Sequence, residues 1–186
     1  MALSPLTLYK AYKKDPTVAS ISPSSRISIR KLCKNINFSS ARVIVEYGPG
    51  TGVFTAFLLK NLHPDARLFV FETNAEFVAM LQETHDPRLT VVHTSAEYIE
   101  EVLEHYGVHN VDYVISGIPF SIFPETLATQ IVASTKKVLG AQGKFLVYQF
   151  SSAIENYLHR SFLSVDKSIS WQNIPPLKLY VASQQK

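Results

Sequence analysis

Between Glu46 and Gly52 the chain reads Glu-Tyr-Gly-Pro-Gly-Thr-Gly, with glycine at three alternate positions. Glycine carries no Cβ, so such a loop turns sharply and brings its backbone against a bound ligand. Phosphate is a poor candidate for that ligand. A dinucleotide fingerprint needs glycine three residues after Gly50, where Val53 stands. A phosphate loop needs a lysine, and none lies between Arg42 and Lys60. Glu46, two residues before Gly48, repels phosphate but suits an amino group or another positive centre. Glu72 stands twenty residues after Gly52, where an acid can accept from both hydroxyls of a ribose. The ligand implied carries ribose and positive charge, and no phosphate.

Elements that place these residues are readable from hydrophobic periodicity. Arg42–Glu46, Arg67–Glu72, Leu89–His93, Val111–Ser116 and Lys144–Gln149 are short runs rich in Val, Ile and Phe, and are predicted to be buried strands. Val53–Leu62, Ala75–Glu83, Ala96–His105 and Glu125–Leu139 show apolar spacings of three and four, which predict helices between them. Thr73 or Asn74 caps the second helix and Gly140 ends the last. This alternation means an α/β fold with a parallel sheet covered on both faces. Val165–Trp171 and Leu177–Ala182, joined through Pro175-Pro176, are expected to add an antiparallel edge hairpin, with room for one helix between Gln149 and that hairpin. Trp171 and Phe162 read as covering hydrophobics. Ahead of the sheet, Ser22-Pro23 opens a helix to about Lys34, and Ser4–Lys14 forms a short amphipathic one. Residues 1–40 therefore read as a helical appendage and 41–186 as the ligand-binding domain.

Charge and composition narrow the setting. The net charge of +3 hides an asymmetry, because residues 1–40 hold seven Lys/Arg against one acid while 41–186 hold eleven against fourteen. A basic head points to an anionic partner, lipid or nucleic acid, or else to a solvated helix face. The longest stretch without charge is 13 residues, Tyr47–Leu59, short of the roughly 20 that a membrane-spanning helix needs. The first residues lack the basic and apolar regions of a signal peptide. A single cysteine, Cys33, excludes an internal disulfide and a thiolate-rich metal site. The six histidines are scattered, and His105 and His109 share a helix face only if Gly107 does not break it, so no metal is expected. A soluble intracellular monomer is the expectation.

S-adenosylmethionine meets all three conditions set by the loop and its two acids. The chain here resembles the class I S-adenosylmethionine-dependent methyltransferases, which implies a Rossmann-like seven-stranded sheet, parallel except for the C-terminal hairpin. The resemblance implies cofactor contacts from Ser25, Glu46, Tyr47, Gly48, Gly50, Thr51, Gly52, Glu72, Thr73 and Ser116, with Ser95 or the Ala96 backbone at the adenine. After the fourth strand, Ser116-Gly117-Ile118-Pro119-Phe120 occupies the position where this family presents the methyl acceptor. Adenine N-methyltransferases carry Asn at the position of Gly117, and here that side-chain acceptor is missing, although Phe120 is still placed to stack on a base. Ser-Gly-Ile-Pro-Phe instead resembles the Ser-Gly-Leu-Pro of the short bacterial phospholipid N-methyltransferases, as do Lys13–Arg26 and Glu46–Thr55. Ribosomal RNA adenine dimethylases share the cofactor loop and carry a further helical domain, for which the 37 residues after Gln149 leave no room.

That resemblance implies methylation of phosphatidylethanolamine towards phosphatidylcholine at the inner membrane surface, by a cytoplasmic peripheral protein. Transfer of the methyl is an in-line displacement, so the enzyme mainly positions its reactants. The backbone of Ser116–Ile118 lines the transfer channel and Pro119 stiffens it. The acceptor ammonium must lose a proton; Tyr148 is a candidate acceptor, or simply a buried core tyrosine. Leu8, Tyr9 and Tyr12 would enter the headgroup boundary while Lys10, Lys13 and Lys14 attract anionic lipid; otherwise that helix packs on the sheet. Two alternatives stay open, a nucleic-acid adenine N-methyltransferase and a methyltransferase-like binding module without turnover.

Overall fold

Runs of β-branched and aromatic residues separated by amphipathic segments close into a single sheet with helices on both sides. A computed structural model describes residues 26–171 and 175–185. In chain order the elements are α1 (Arg26–Cys33), β1 (Val43–Tyr47), α2 (Val53–Asn61), β2 (Arg67–Glu72), α3 (Ala75–Gln82), β3 (Leu89–His93), α4 (Ile99–His105), β4 (Val111–Ser116), α5 (Glu125–Val138), β5 (Leu139–Gln149), α6 (Glu155–Ser161), β6 (Ser164–Ser170) and β7 (Leu177–Ser183). The seven strands lie in the order β3-β2-β1-β4-β5-β7-β6. β1 to β5 are parallel, and β7 pairs antiparallel with both β5 and β6. β1 and β4 are neighbours although three elements separate β1 from β3 at the edge, so the strand order reverses between them. In open α/β sheets the crevice at such a reversal, beyond the strands' carboxyl ends, is where ligands bind.

Period-two alternation divides the core. Val45, Tyr47, Phe71, Val114, Phe145 and Val147 point to the face covered by α4, α5 and α6, where Ile131, Leu103 and Leu158 meet them. Ile44, Val70, Ile115, Leu146 and Tyr148 point to the other, under Leu32 of α1, Leu58 of α2 and Leu81 of α3. α3 begins at Asn74, whose Oδ1 accepts from the N–H of Glu76 at 2.9 Å and of Phe77 at 3.3 Å; Asn74 rather than Thr73 is the cap. α1 is tied to the far edge of the sheet: Ser28 and Ser170 hydroxyls lie 2.6 Å apart, both buried, and Lys31 Nζ donates to the Ile169 carbonyl at 2.7 Å. Through the pairing of Ser170 with Leu177 and of Lys178 with Gln149, that tie sits at the same end of the sheet as the carboxyl end of β5.

Three expectations are corrected. Gly140 does not stop α5, which ends at Val138; β5 begins at Leu139 and takes in both Gly140 and Gly143. The register against β4 shifts between Val111 and Tyr113, so the extra residues form a bulge. Gly143 is required there, since a Cβ would lie 2.8 Å from the Val111 carbonyl oxygen and 3.0 Å from that of Gly140. Ala96–His105 is not one helix but a 3-10 turn over Ala96–Tyr98 followed by α4. Phe162 does cover the core, but Trp171 is 71% exposed just past β6 and is not part of it. The segment expected to form an amphipathic helix, with Leu8, Tyr9, Lys10, Tyr12, Lys13 and Lys14, lies outside the described residues, as do Ser25 and the helix start expected at Ser22-Pro23.

Because Gly143 meets two backbone oxygens that cannot swing aside, Gly143→Ala is expected to destabilise the protein by about 1–3 kcal/mol in denaturant unfolding, with Ala141→Ser, on an exposed position of the same bulge, within about 0.5 kcal/mol of the wild type.

Candidate cofactor and acceptor site

The glycine loop sits at the reversal point. Gly48, Gly50 and Gly52 hold φ of 65°, 54° and 74°, a region that other residues enter at a cost. A Cβ on Gly48 would also lie 2.7 Å from Ile118 Cγ2, so this loop and the one after β4 are in direct contact. Two backbone bonds fix the loop to neighbouring strands: Gly48 N–H donates to the Phe71 carbonyl at 2.9 Å, and Gly117 N–H donates to that of Tyr47 at 3.0 Å. Around Gly50 no atom lies within 4 Å of where a Cβ would be, so its outer side is open to a ligand.

The two acids part company. Glu72 closes β2 and gathers three backbone donors, Thr73 and Asn74 N–H each at 2.8 Å on Oε1 and Gly50 N–H at 3.2 Å on Oε2. Its carboxylate lines the cleft beside Gly48 and Gly50. Glu46 is fully buried on the α2 side of the sheet, where Oε2 accepts from Thr55 Oγ1 at 2.7 Å and Oε1 has no partner. Burial pushes its carboxyl from the ordinary 4.5 up to about 8, against the opposing pull of the Thr55 hydrogen bond. The orphaned oxygen of an acid held neutral marks a place where a cationic group would be welcome.

A cleft of about 260 Å³ opens along the carboxyl ends of the strands. Glu72, Thr73, Thr94 and Ser95 form its polar wall, and Phe71, Phe77, Ala96, Phe123, Leu127 and Ile131 its apolar one, with Gly117, Ile118 and Pro119 completing it. A flat heterocycle fits the apolar wall and a ribose the carboxylate, and among the described residues no lysine or arginine lines the cleft to draw a phosphate. The residues present therefore fit S-adenosylmethionine. Glu72 would hold its ribose and Ser95 with Ala96 its adenine, while Glu46, buried outside the cleft lining, would offer its unpartnered oxygen to the amino group. Thr51 and Gly52 shape the loop from outside the cleft lining; Gly52 caps α2 and donates to the Pro49 carbonyl at 3.0 Å.

Two site expectations change. Tyr47 does not offer its side chain to the cofactor: it is fully buried in the core on the α5 side, where its hydroxyl lies 3.0 Å from Thr135 Oγ1. Adjacent strand residues face opposite ways, so Glu46 and Tyr47 could not both serve one ligand through their side chains. Phe120 is turned into the core, 2% exposed and edge-on to Phe123 at 5.8 Å, so the ring that this loop gives to the cleft is that of Phe123. The 3-10 turn over Phe120–Ile122 sets this order. Phe71, Phe77, Thr94, Leu127 and Ile131 were not singled out in the sequence. Phe77 follows the Asn74 cap by three residues and Thr94 precedes Ser95, and those spacings were the available signal.

Beneath Gly117 lies Tyr148. A Cβ on Gly117 would collide with Tyr148 Oη, Cζ and Cε2, the last two at 2.6 and 2.9 Å. The Tyr148 ring is stacked on Phe54 of α2, centroids 5.2 Å apart and planes 7° from parallel. Its hydroxyl is buried without a partner. Burial, then the nearby Glu46 and Cys33, push its ionisation well above the usual 10. It stays protonated at neutral pH, which argues against it as the resting proton acceptor. Among the described residues the other unpartnered buried side-chain atoms are Glu46 Oε1, Ser116 Oγ and both amide atoms of Gln149. All stand at the carboxyl ends of β1, β4 and β5. Cys33, buried below them, has its thiol pushed up to about 12 and is unreactive.

The titration of Glu46 has a measurable sign. Between pH 4.5 and about 8 the folded protein keeps a proton that the unfolded chain has shed, so raising pH favours unfolding over that window. Stability of the cofactor-free protein is expected to fall by up to ~1.4 kcal/mol per pH unit there and level off above it. In Glu46→Gln, urea unfolding followed from pH 5 to 9 is expected to lose that slope.

Comparisons with known proteins agree with this geometry. The profile of the ribosomal RNA adenine dimethylase family matches residues 24–149. The ornithine lipid N-methyltransferase of Singulisphaera acidiphila is 32% identical over 178 residues, covering 94% of this chain and 93% of the relative. Among solved structures, the 1,6-didemethyltoxoflavin-N1-methyltransferase of Burkholderia thailandensis, with bound S-adenosylhomocysteine, superposes with a TM-score of 0.70 at 13% identity, covering 97% of this chain and 87% of that one. The N-methyltransferase NodS of Bradyrhizobium japonicum does so with a TM-score of 0.67 at 14% identity, covering 88% and 98%. From loop, cleft and relatives together, the chain is an S-adenosylmethionine-dependent methyltransferase with the class I fold, and it belongs to the ribosomal RNA adenine dimethylase family.

Proposed function

We propose that the chain methylates the primary amine of a membrane-lipid headgroup, working at the membrane surface. The observation that carries this reading is the near full-length similarity to a protein named for N-methylating ornithine lipid. The site supports it: at Gly117 there is no side chain to hold a base edge, and the Tyr148 ring already fills the space one would need. Phe123 lines the cleft, and the aliphatic Ile122 next to it in the chain is half-exposed. No helix among the described residues is long and apolar enough to cross a membrane. Leu8, Tyr9 and Tyr12 with Lys10, Lys13 and Lys14 make the segment suited to that contact.

When bound, S-adenosylmethionine supplies an electrophilic methyl on a sulfonium. The chain's part is to hold reactants in line and dry. Glu72 with the three backbone amides on it fixes the ribose end, and Glu46 the amino end. The backbone of Ser116–Ile118 lines the path of the incoming amine, with Pro119 limiting its freedom. Ethanolamine phospholipid, on the path to phosphatidylcholine, and ornithine lipid share the primary amine these features would recognise, and we place the enzyme at the inner membrane surface as a cytoplasmic peripheral protein.

Purified protein given methyl-labelled S-adenosylmethionine and anionic vesicles containing phosphatidylethanolamine, vesicles containing ornithine lipid, or ribosomal RNA is expected to label one of the lipids and not the RNA. Label in RNA alone overturns the lipid reading in favour of the activity for which the family is named, and label in none identifies a binding module. Removing residues 1–15 is expected to reduce co-sedimentation with anionic vesicles by at least tenfold; equal binding overturns the role given to that segment.

A further inference from the structure

Four buried side chains with unpartnered polar atoms crowd the carboxyl ends of three adjacent strands, although buried polar groups in folded proteins are almost always bonded. Glu46 Oε1 is spoken for by the cofactor's amino group. Ser116 and Gln149 alternate onto the α5 side of the sheet, with Tyr47 and Val147. Tyr148 alone among them touches a residue of the acceptor loop that also lines the cleft, since its Oη stands against Gly117 where a side chain would otherwise be. We propose that the Tyr148 hydroxyl is the hydrogen-bond acceptor that positions the amine of the methyl acceptor, taking from strand β5 the place of the side chain that Gly117 lacks. The acceptor's identity as a lipid rests on the reading above; the role of Tyr148 does not.

Three features suit it to this. The ring is held by the stack on Phe54 and cannot swing, so its oxygen is placed by the sheet rather than by a loop. Its oxygen accepts as well as donates, and the burial that keeps it un-ionised leaves it a neutral acceptor at working pH. And Gly117 is the one residue that lets the oxygen come so close to the cleft floor. In the reaction the acceptor ammonium sheds one proton to water. The amine, with an N–H held by Tyr148 Oη, directs its lone pair at the methyl carbon. The N–C bond forms as the C–S bond breaks, its electron pair staying on sulfur, and the product is the methylammonium.

Sinefungin, the cofactor analogue with an amine-bearing carbon in place of the methylsulfonium, puts a nitrogen into this space without any acceptor present. Calorimetry on the full chain is expected to show it bound about tenfold more tightly than S-adenosylhomocysteine, the size expected for a hydrogen bond to a charged group. Tyr148→Phe keeps the stack on Phe54 and is expected to bring the two affinities within about twofold, leaving that for S-adenosylhomocysteine unchanged. On whichever lipid vesicle the wild type labels, the same variant is expected to lose about a hundredfold in kcat at unchanged cofactor KM. No preference in the wild type, or a preference kept by Tyr148→Phe, overturns the proposal. A wild type that labels no lipid but whose preference disappears in Tyr148→Phe supports the role of Tyr148 and refutes only the lipid reading.

Discussion

Three backbone N–H groups converging on the Glu72 carboxylate hold together the end of β2, the start of α3 and the crest of the glycine loop. Without that anchor, a loop carrying three left-handed glycines would have little reason to keep one shape, because glycine gives up more conformational freedom on folding than any other residue. Charge-assisted bonds of this kind are about twice as strong as neutral ones, and they leave the carboxylate at the cleft wall. The same residue thus shapes the cradle and lines it. The loop, in turn, sets how close the β4 loop may come, through the contact between Gly48 and Ile118.

The acid at the end of β1 does a different job because strand parity sends it to the other side of the loop. Glu46 is bonded to Thr55 and lies near enough to Tyr148 and Cys33 to raise their ionisation, and its own burial keeps its proton on. A group in that situation keeps its proton until a cation arrives. The cleft itself is polar along one wall, where Glu72 supplies a carboxylate. Such a site favours a zwitterionic or cationic ligand over a polyphosphate, consistent with the absence of Lys and Arg among the described residues that line it.

Much of this was legible in the sequence because it rests on short-range rules. The strand runs, the glycine spacing and the acid twenty residues on gave the sheet, the loop and the ribose end of the cleft, with strand boundaries off by a residue or so except in β5. What escaped was decided by neighbours distant in sequence. Gly140 carries the signature of a helix stop, yet the need of β5 to pair with Val111 draws it into a bulge that Gly143 makes feasible. Tyr47 belongs to a motif that binds ligand but points to the core, and Phe120 yields the cleft to Phe123 because one 3-10 turn intervenes. The collision course between Gly117 and Tyr148 joins positions 31 residues apart, one in the loop after β4 and one on the adjacent β5, and no local pattern announces it.

The paired hydroxyls of Ser28 and Ser170 bear on how the two halves of the sheet are held. They join α1, packed in the same core layer as Tyr148, to β6 at the far antiparallel edge. Because closely packed interiors transmit strain rather than absorb it, a disturbance at that edge is carried through the hydroxyl pair into the layer that holds Tyr148 beneath the acceptor loop.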